Sequence, residues 1–87
     1  MSLSLLLVED DPQEARRLEG ALAHLGYHVT LAGDGDAALA LLQDQAFDVM
    51  LLDLVLPGLD GMGVLSAMAE RGIAVAAVVQ VTPAGLD

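Results

Sequence analysis

One stretch constrains this chain more than any other: Phe47-Asp48-Val49-Met50-Leu51-Leu52-Asp53-Leu54-Val55-Leu56-Pro57-Gly58-Leu59-Asp60-Gly61. An apolar run ends on a lone carboxylate, a Pro/Gly loop follows, and a helical pattern then opens. A single acid at the carboxyl end of a buried strand is costly to desolvate unless a metal or a reaction uses it. Asp53 therefore reads as a phosphate-accepting nucleophile.

The flanking sequence supplies the scaffold for that strand. Leu3–Val8 is a short apolar run that stops at acids, and it reads as a buried strand. Asp11-Pro12-Gln13-Glu14 then carries a helix start: Asp at the cap, Pro at the first helical position, Glu three residues after the cap. Ala15, Leu18, Leu22 and Leu25 recur at helical spacing and Gly26 follows, so the first helix is expected over Pro12–Leu25. Tyr27–Ala32 is a second strand and Ala37–Gln45 a second helix, with Asp34 or Asp36 near its positive end. Phe47–Asp53 is the third strand. Gly61–Arg71 is the third helix, with Val64, Leu65 and Met68 inward and Gly72 as its stop. Ile73–Thr82 reads as a fourth strand ended by Pro83.

Strands alternating with helices across short connections predict βαβ units, a parallel sheet and right-handed crossovers. The expected fold is α/β and flavodoxin-like, with helices on both faces of the sheet, about four strands and three helices. Residues 1–87 make one small domain, in which roughly 60% of the unfolded surface can be buried. Aromatic residues are 2% of a chain that is 55% hydrophobic, so the core is aliphatic, as suits covered parallel strands.

In such a sheet, chemistry sits beyond the carboxyl ends of the strands. Glu9 and Asp10 end strand one and Asp53 ends strand three, and the order 2-1-3-4-5 makes those strands neighbours. Three carboxylates then converge with no cation near them in sequence. Like charges raise one another's pKa unless a hard cation is bound, and oxygen ligands with open positions suit Mg²⁺. Asp11 is explained by its cap alone.

Leu7-Val8-Glu9-Asp10-Asp11-Pro12, Gly26-Tyr27-His28-Val29, Asp34-Gly35-Asp36-Ala37-Ala38-Leu39 and Leu52-Asp53-Leu54-Val55-Leu56-Pro57-Gly58-Leu59-Asp60-Gly61 together resemble a response-regulator receiver domain of bacterial two-component signalling. The resemblance runs in register from residue 3 to about residue 82. It implies a CheY-like fold and an Asp phosphorylated by a histidine-kinase partner with Mg²⁺. By position, Asp53 is the phosphoacceptor. Glu9, Asp10, Asp53 and the backbone carbonyl of Val55 hold the metal, and Thr82 is the switch hydroxyl. A receiver takes part in its own phosphotransfer, so no separate enzymatic turnover is expected.

The family pattern continues with a further helix, a fifth strand bearing a lysine that contacts the phosphoryl group, and a fifth helix. This chain has no lysine, and it is expected to be incomplete at its C-terminal end. Pro83 stands where the family has a small residue, and Gln80 is polar in a strand that is normally apolar. Strand four then becomes an apolar edge over Ala74–Val79, which predicts a homodimer or strand-swapped oligomer built on it.

Charge excludes other classes. The net charge is −10, and the cationic side chains are Arg16, Arg17 and Arg71, so neither direct nucleic-acid binding nor an anionic membrane surface is expected. Arg16 and Arg17 fall on the solvent face of helix one as candidate kinase contacts. There is no cysteine, no secretory leader and no apolar run of about 20 residues, so a cytoplasmic protein is the default. His24 and His28 are separated by the helix-stopping Gly26 and make no zinc pair. The glycines form no nucleotide loop after the first strand.

Two rivals remain beside the phosphoacceptor. One is a non-phosphorylated receiver-like module for dimerisation or assembly. The other is a haloacid-dehalogenase-like phosphatase, against which Val55 stands, because that class expects a second Asp there.

Overall fold

The computed structural model describes residues 2–53, 59–75 and 77–81, the last of these through their backbone. The elements run β1 (Ser4–Val8), α1 (Pro12–His24), β2 (His28–Ala32), α2 (Gly35–Asp44), β3 (Val49–Asp53), α3 (Gly61–Arg71) and β4 (Ala77–Val81). All strand pairs are parallel, in the order β2-β1-β3-β4, as the strand–helix alternation predicts.

Each helix starts on an aspartate. The Asp11 carboxylate accepts from the Gln13 N–H at 3.0 Å, Asp34 from Ala37 at 2.8 Å and Asp60 from Gly63 at 2.8 Å. Each bond satisfies a backbone donor that the first helical turn leaves unpaired, and each negative charge meets the positive end of the helix dipole. Asp34 is thus the cap of α2, which begins at Gly35, earlier than the Ala37 expected from the Ala/Leu run.

The helix stops are also chemical. Past α1, the Gly26 N–H donates to the Ala23 carbonyl and the Tyr27 N–H to the Leu22 carbonyl, with Gly26 at φ +101°. Past α3, the Gly72 and Ile73 N–H groups bond the Ala69 and Met68 carbonyls, with Gly72 at φ +67°. These are paired reversals that need a left-handed residue, which glycine adopts without a Cβ clash.

Two strands are shorter than their apolar runs. Phe47 is buried in the core without joining the ladder. Asp48 instead clamps the start of β1: its N–H donates to the Ser4 carbonyl at 2.9 Å, and its carboxylate accepts from the Ser4 N–H at 2.8 Å. Ile73 and Val75 likewise pack against the core ahead of β4, whose described pairing with β3 runs over Ala77–Val81. Thr82 and Pro83 lie outside the described residues, as do Val55, Pro57 and Gly58.

The main core fills the space between the sheet and the α2–α3 pair. Leu6, Val8, Met50 and Leu52 point into it from β1 and β3, and Ala38, Leu39, Leu42, Val64 and Met68 meet them from the helices. Leu65 packs at its margin. Leu5 and Leu7 alternate to the other face, where Ala15 of α1 is also buried. Val49 and Leu51, in register with Leu5 and Leu7, stay only half-buried, so cover on that face thins toward β3.

Leu6 is 0% exposed at the centre of this core, whereas Leu31 on the edge strand β2 is 40% exposed. Leu6→Ala should lower unfolding free energy by about 2–5 kcal/mol, the range for a large-to-small change in a closed core. Leu31→Ala should cost well under half of that. Urea denaturation of the two variants at one pH checks the contrast.

Candidate phosphoacceptor and metal site

The β1–β3 ladder brings the acids together. Its last register pair is Val8 with Leu52, so one further step along both strands sets Glu9 beside Asp53. The Glu9 N–H is itself held by the Ala32 carbonyl at 3.0 Å, which carries the β1–β2 pairing one residue past Val8. Asp10 then turns the chain toward the Asp11 cap.

One carboxylate oxygen each from Glu9, Asp10 and Asp53 lies within 4.8 Å of the others. Asp10 is exposed, while Glu9 and Asp53 are half-buried. The Glu9 carboxyl is pushed up to about 7, from its usual 4.5. Burial is the largest cause, followed by a side-chain hydrogen bond with Asp53 and the charges of Asp53 and Asp10, against a smaller opposing backbone bond. Its Oε2 is sealed from solvent with no hydrogen-bond partner.

A buried acceptor without a donor is a defect unless something fills it. Three converging carboxylates leave two ways to do so, a proton or a cation. An all-oxygen donor set with room for further ligands fits a hard divalent ion such as Mg²⁺. The residues present therefore suit the metal that the sequence predicts.

The Leu59 backbone lies against Gly35 at the start of α2 and leaves no room for a Cβ there. Gly35 precedes the Ala37–Gln45 helix expected from the sequence, where a turn would be the ordinary reading of a glycine. No local signal distinguishes a glycine needed for a distant close approach from one needed for a turn.

The other candidates are placed away from the cluster. Arg16 and Arg17 are exposed on α1, and Arg17 is bonded to Glu14 one helical turn before it. His24 and His28 are exposed and belong to no metal-ligating group among the described residues. Among those residues, no helix is long and apolar enough to cross a membrane.

Comparison with known proteins decides the family. The profile of the response regulator receiver domain matches residues 5–85. The chain belongs to that family. It is similar to the transcriptional activator protein PfeR of Pseudomonas aeruginosa, with 45% identity over 67 residues, covering 77% of this chain and 22% of PfeR. It is 39% identical over 71 residues to the transcriptional regulatory protein DltR of Streptococcus agalactiae, covering 82% of this chain and 32% of DltR. The chain thus spans less than a third of the length of these curated relatives.

Among solved structures, the Francisella response regulator 1452 receiver domain superposes with a TM-score of 0.87 at 27% identity, covering 93% of this chain and 66% of that one. The response regulator TrrA of Thermotoga maritima, solved in complex with Mg(2+)-BeF, gives 0.82 at 26% identity, covering 94% and 70%. These receiver structures confirm the CheY-like, flavodoxin-like architecture expected from the sequence.

The raised Glu9 carboxyl sets a pH dependence. The folded chain holds this proton more tightly than the unfolded chain, so the associated stability is full below about 4.5 and is lost as pH rises through about 7. Glu9→Gln removes the ionisation. Without metal, the variant should melt with the wild type below about pH 4.5 and above it at pH 8. Calorimetric scans in chelator check this, and a pH-independent gap would contradict it.

Proposed function

We propose that this chain is a phosphoacceptor receiver of a two-component response regulator, with Asp53 phosphorylated from a histidine-kinase or phosphotransfer partner in the presence of Mg²⁺. The observation that carries the reading is the convergence of Glu9, Asp10 and Asp53 at the carboxyl ends of neighbouring strands, with Glu9 Oε2 buried and unpartnered. The Mg²⁺ complex of TrrA, a solved relative, supports it.

Asp53 supplies the nucleophile. An oxygen of its carboxylate forms a bond to phosphorus while the bond from phosphorus to the partner's imidazole nitrogen breaks. The products are an acyl phosphate on Asp53 and a free histidine. Glu9, Asp10, Asp53 and the Val55 backbone carbonyl would hold the metal, and Thr82 would be the switch hydroxyl. When bound, Mg²⁺ supplies positive charge to the transferring phosphoryl oxygens. Glu9 must give up its proton for this, which couples metal binding to pH.

No separate substrate is turned over; the protein is the acceptor of its own reaction. The chain carries no lysine, and its three arginines lie on α1 and at the end of α3. The site of action is the cytoplasm, and with a net charge of −10 the chain makes no direct nucleic-acid contact.

Incubation with acetyl phosphate or phosphoramidate and Mg²⁺ should add one phosphoryl group by intact mass, and Asp53→Asn should abolish it. No adduct, together with no Mg²⁺ binding, would instead favour an assembly module.

A second reading concerns association and stands on β4, which ends the sheet among the described residues. An edge strand with free N–H and C=O groups pairs readily with another copy. The expected species at tens of micromolar is a dimer or strand-swapped oligomer, read by light scattering, and a monomer there would refute it.

A further inference from the structure

Among the described residues, β2 ends the sheet on the side away from β4. Its backbone is directional. The His28 N–H donates to the Leu3 carbonyl at 2.9 Å, and the Ala32 carbonyl accepts from the Glu9 N–H at 3.0 Å, so both residues turn toward β1. A strand presents the N–H and C=O of alternate residues to opposite sides, so Thr30 also turns toward β1, while Val29 and Leu31 turn outward. Side chains alternate as well. Ala32 is buried in the main core and Thr30 shares its face, whereas Val29 and Leu31 lie in register with Leu5 and Leu7 on the α1 face. Leu31 is exposed although Leu7 beside it is buried. Over His28–Ala32 the strand carries none of the proline, lysine or carboxylate that commonly protects an edge.

We infer that β2 pairs with β2 of a second copy of this chain, antiparallel about a two-fold axis at Thr30. Among the registers that a two-fold allows, this one overlaps all 5 residues of each strand. Val29 then lies opposite the partner's Leu31, and the two exchange both main-chain bonds. On the α1 face the exposed Leu31 side chain meets the partner's Val29, a cross-strand contact of the kind that stabilises paired strands. Thr30 meets the partner's Thr30 as a non-hydrogen-bonded pair, because its own N–H and C=O are turned toward β1.

Charge selects a second copy as the occupant. A two-fold contact lays one surface patch on the same patch of the partner, so in a chain of net charge −10 it needs a patch without acids. None of the 13 acidic residues lies between Gly20 and Gly33, the stretch that holds the end of α1 and all of β2. Antiparallel order also sets the acidic segment after β2, at Asp34 and Asp36, beside the partner's acid-free segment around Gly26 and His28. Like charges are therefore kept apart at both ends of the paired strands. Neither Asp53 nor a metal takes part, so the contact is independent of the phosphoacceptor reading.

The chain has no cysteine, so one introduced thiol reports the axis. Non-hydrogen-bonded antiparallel partners have Cα atoms about 4.5 Å apart, within disulfide reach. Mild oxidation at tens of micromolar should convert most of Thr30→Cys to a covalent dimer on non-reducing gels. Gly20→Cys, on the open surface of α1, should stay largely monomeric there. Leu31→Pro removes the outward N–H at a position where an edge strand tolerates proline. It should raise the dimer dissociation constant in sedimentation equilibrium by about tenfold or more. Should Leu31→Pro fail to fold by circular dichroism, Thr30→Lys opposes like charges at the axis and must weaken the dimer instead. Equal cross-linking of Thr30→Cys and Gly20→Cys overturns the inference. So does a wild-type dissociation constant in folded Leu31→Pro, which leaves the association to β4. A wild-type chain that sediments as a monomer overturns the β2 and β4 contacts together and leaves the phosphoacceptor reading untouched.

Discussion

The register between β1 and β3 governs the rest of the molecule. Because Val8 pairs with Leu52, Glu9 and Asp53 must meet at the strand ends, whatever their mutual repulsion. A slip of one residue would separate them, but it would also turn either Leu6 and Val8 or Met50 and Leu52 out of the core, depending on which strand moved. Burying those side chains contributes roughly 1.5–3 kcal/mol each, more than a half-exposed carboxylate pair can return by moving apart. Asp48 pins the opposite end of the same ladder through both bonds to Ser4. Hydrophobic packing therefore holds an electrostatically unfavourable cluster in place.

The acids divide by what their oxygens touch. Asp11, Asp34 and Asp60 accept from backbone N–H groups at helix starts, and Asp48 accepts from Ser4, so each is satisfied by the fold itself. Glu9 has a sealed oxygen with no donor, and it lies within reach of two other carboxylates. Part of the chain's negative charge thus sits in helix caps that stabilise, and part in a site cluster whose like charges repel. Composition alone cannot separate them, because both enter the same count.

Sequence made the caps and stops legible because they are local. Asp11-Pro12 and Gly72 each act within a few residues, and both lie where the helix pattern places them. The strand ends were overextended for an equally physical reason. Phe47, Ile73 and Val75 are apolar because they pack against the core, and burial without ladder pairing reads the same as a strand. The carboxylate site was legible because strand ends in a parallel sheet converge. The rest was not: Glu9 differs from Asp10 through burial, and Gly35 matters through Leu59, a residue distant in sequence. Both depend on three-dimensional proximity that no local pattern carries.

The same ionisation links stability to function. In the metal-free chain, deprotonating Glu9 adds negative charge beside Asp53 and Asp10 and weakens the fold as pH rises toward 7. A cation that binds only the folded, deprotonated cluster reverses that penalty by mass action. The charges that act on Glu9 are those of Asp53 and Asp10, both of its own sign. Repulsion among these three carboxylates thus ties the charge state of the strand ends to the stability of the sheet that holds them.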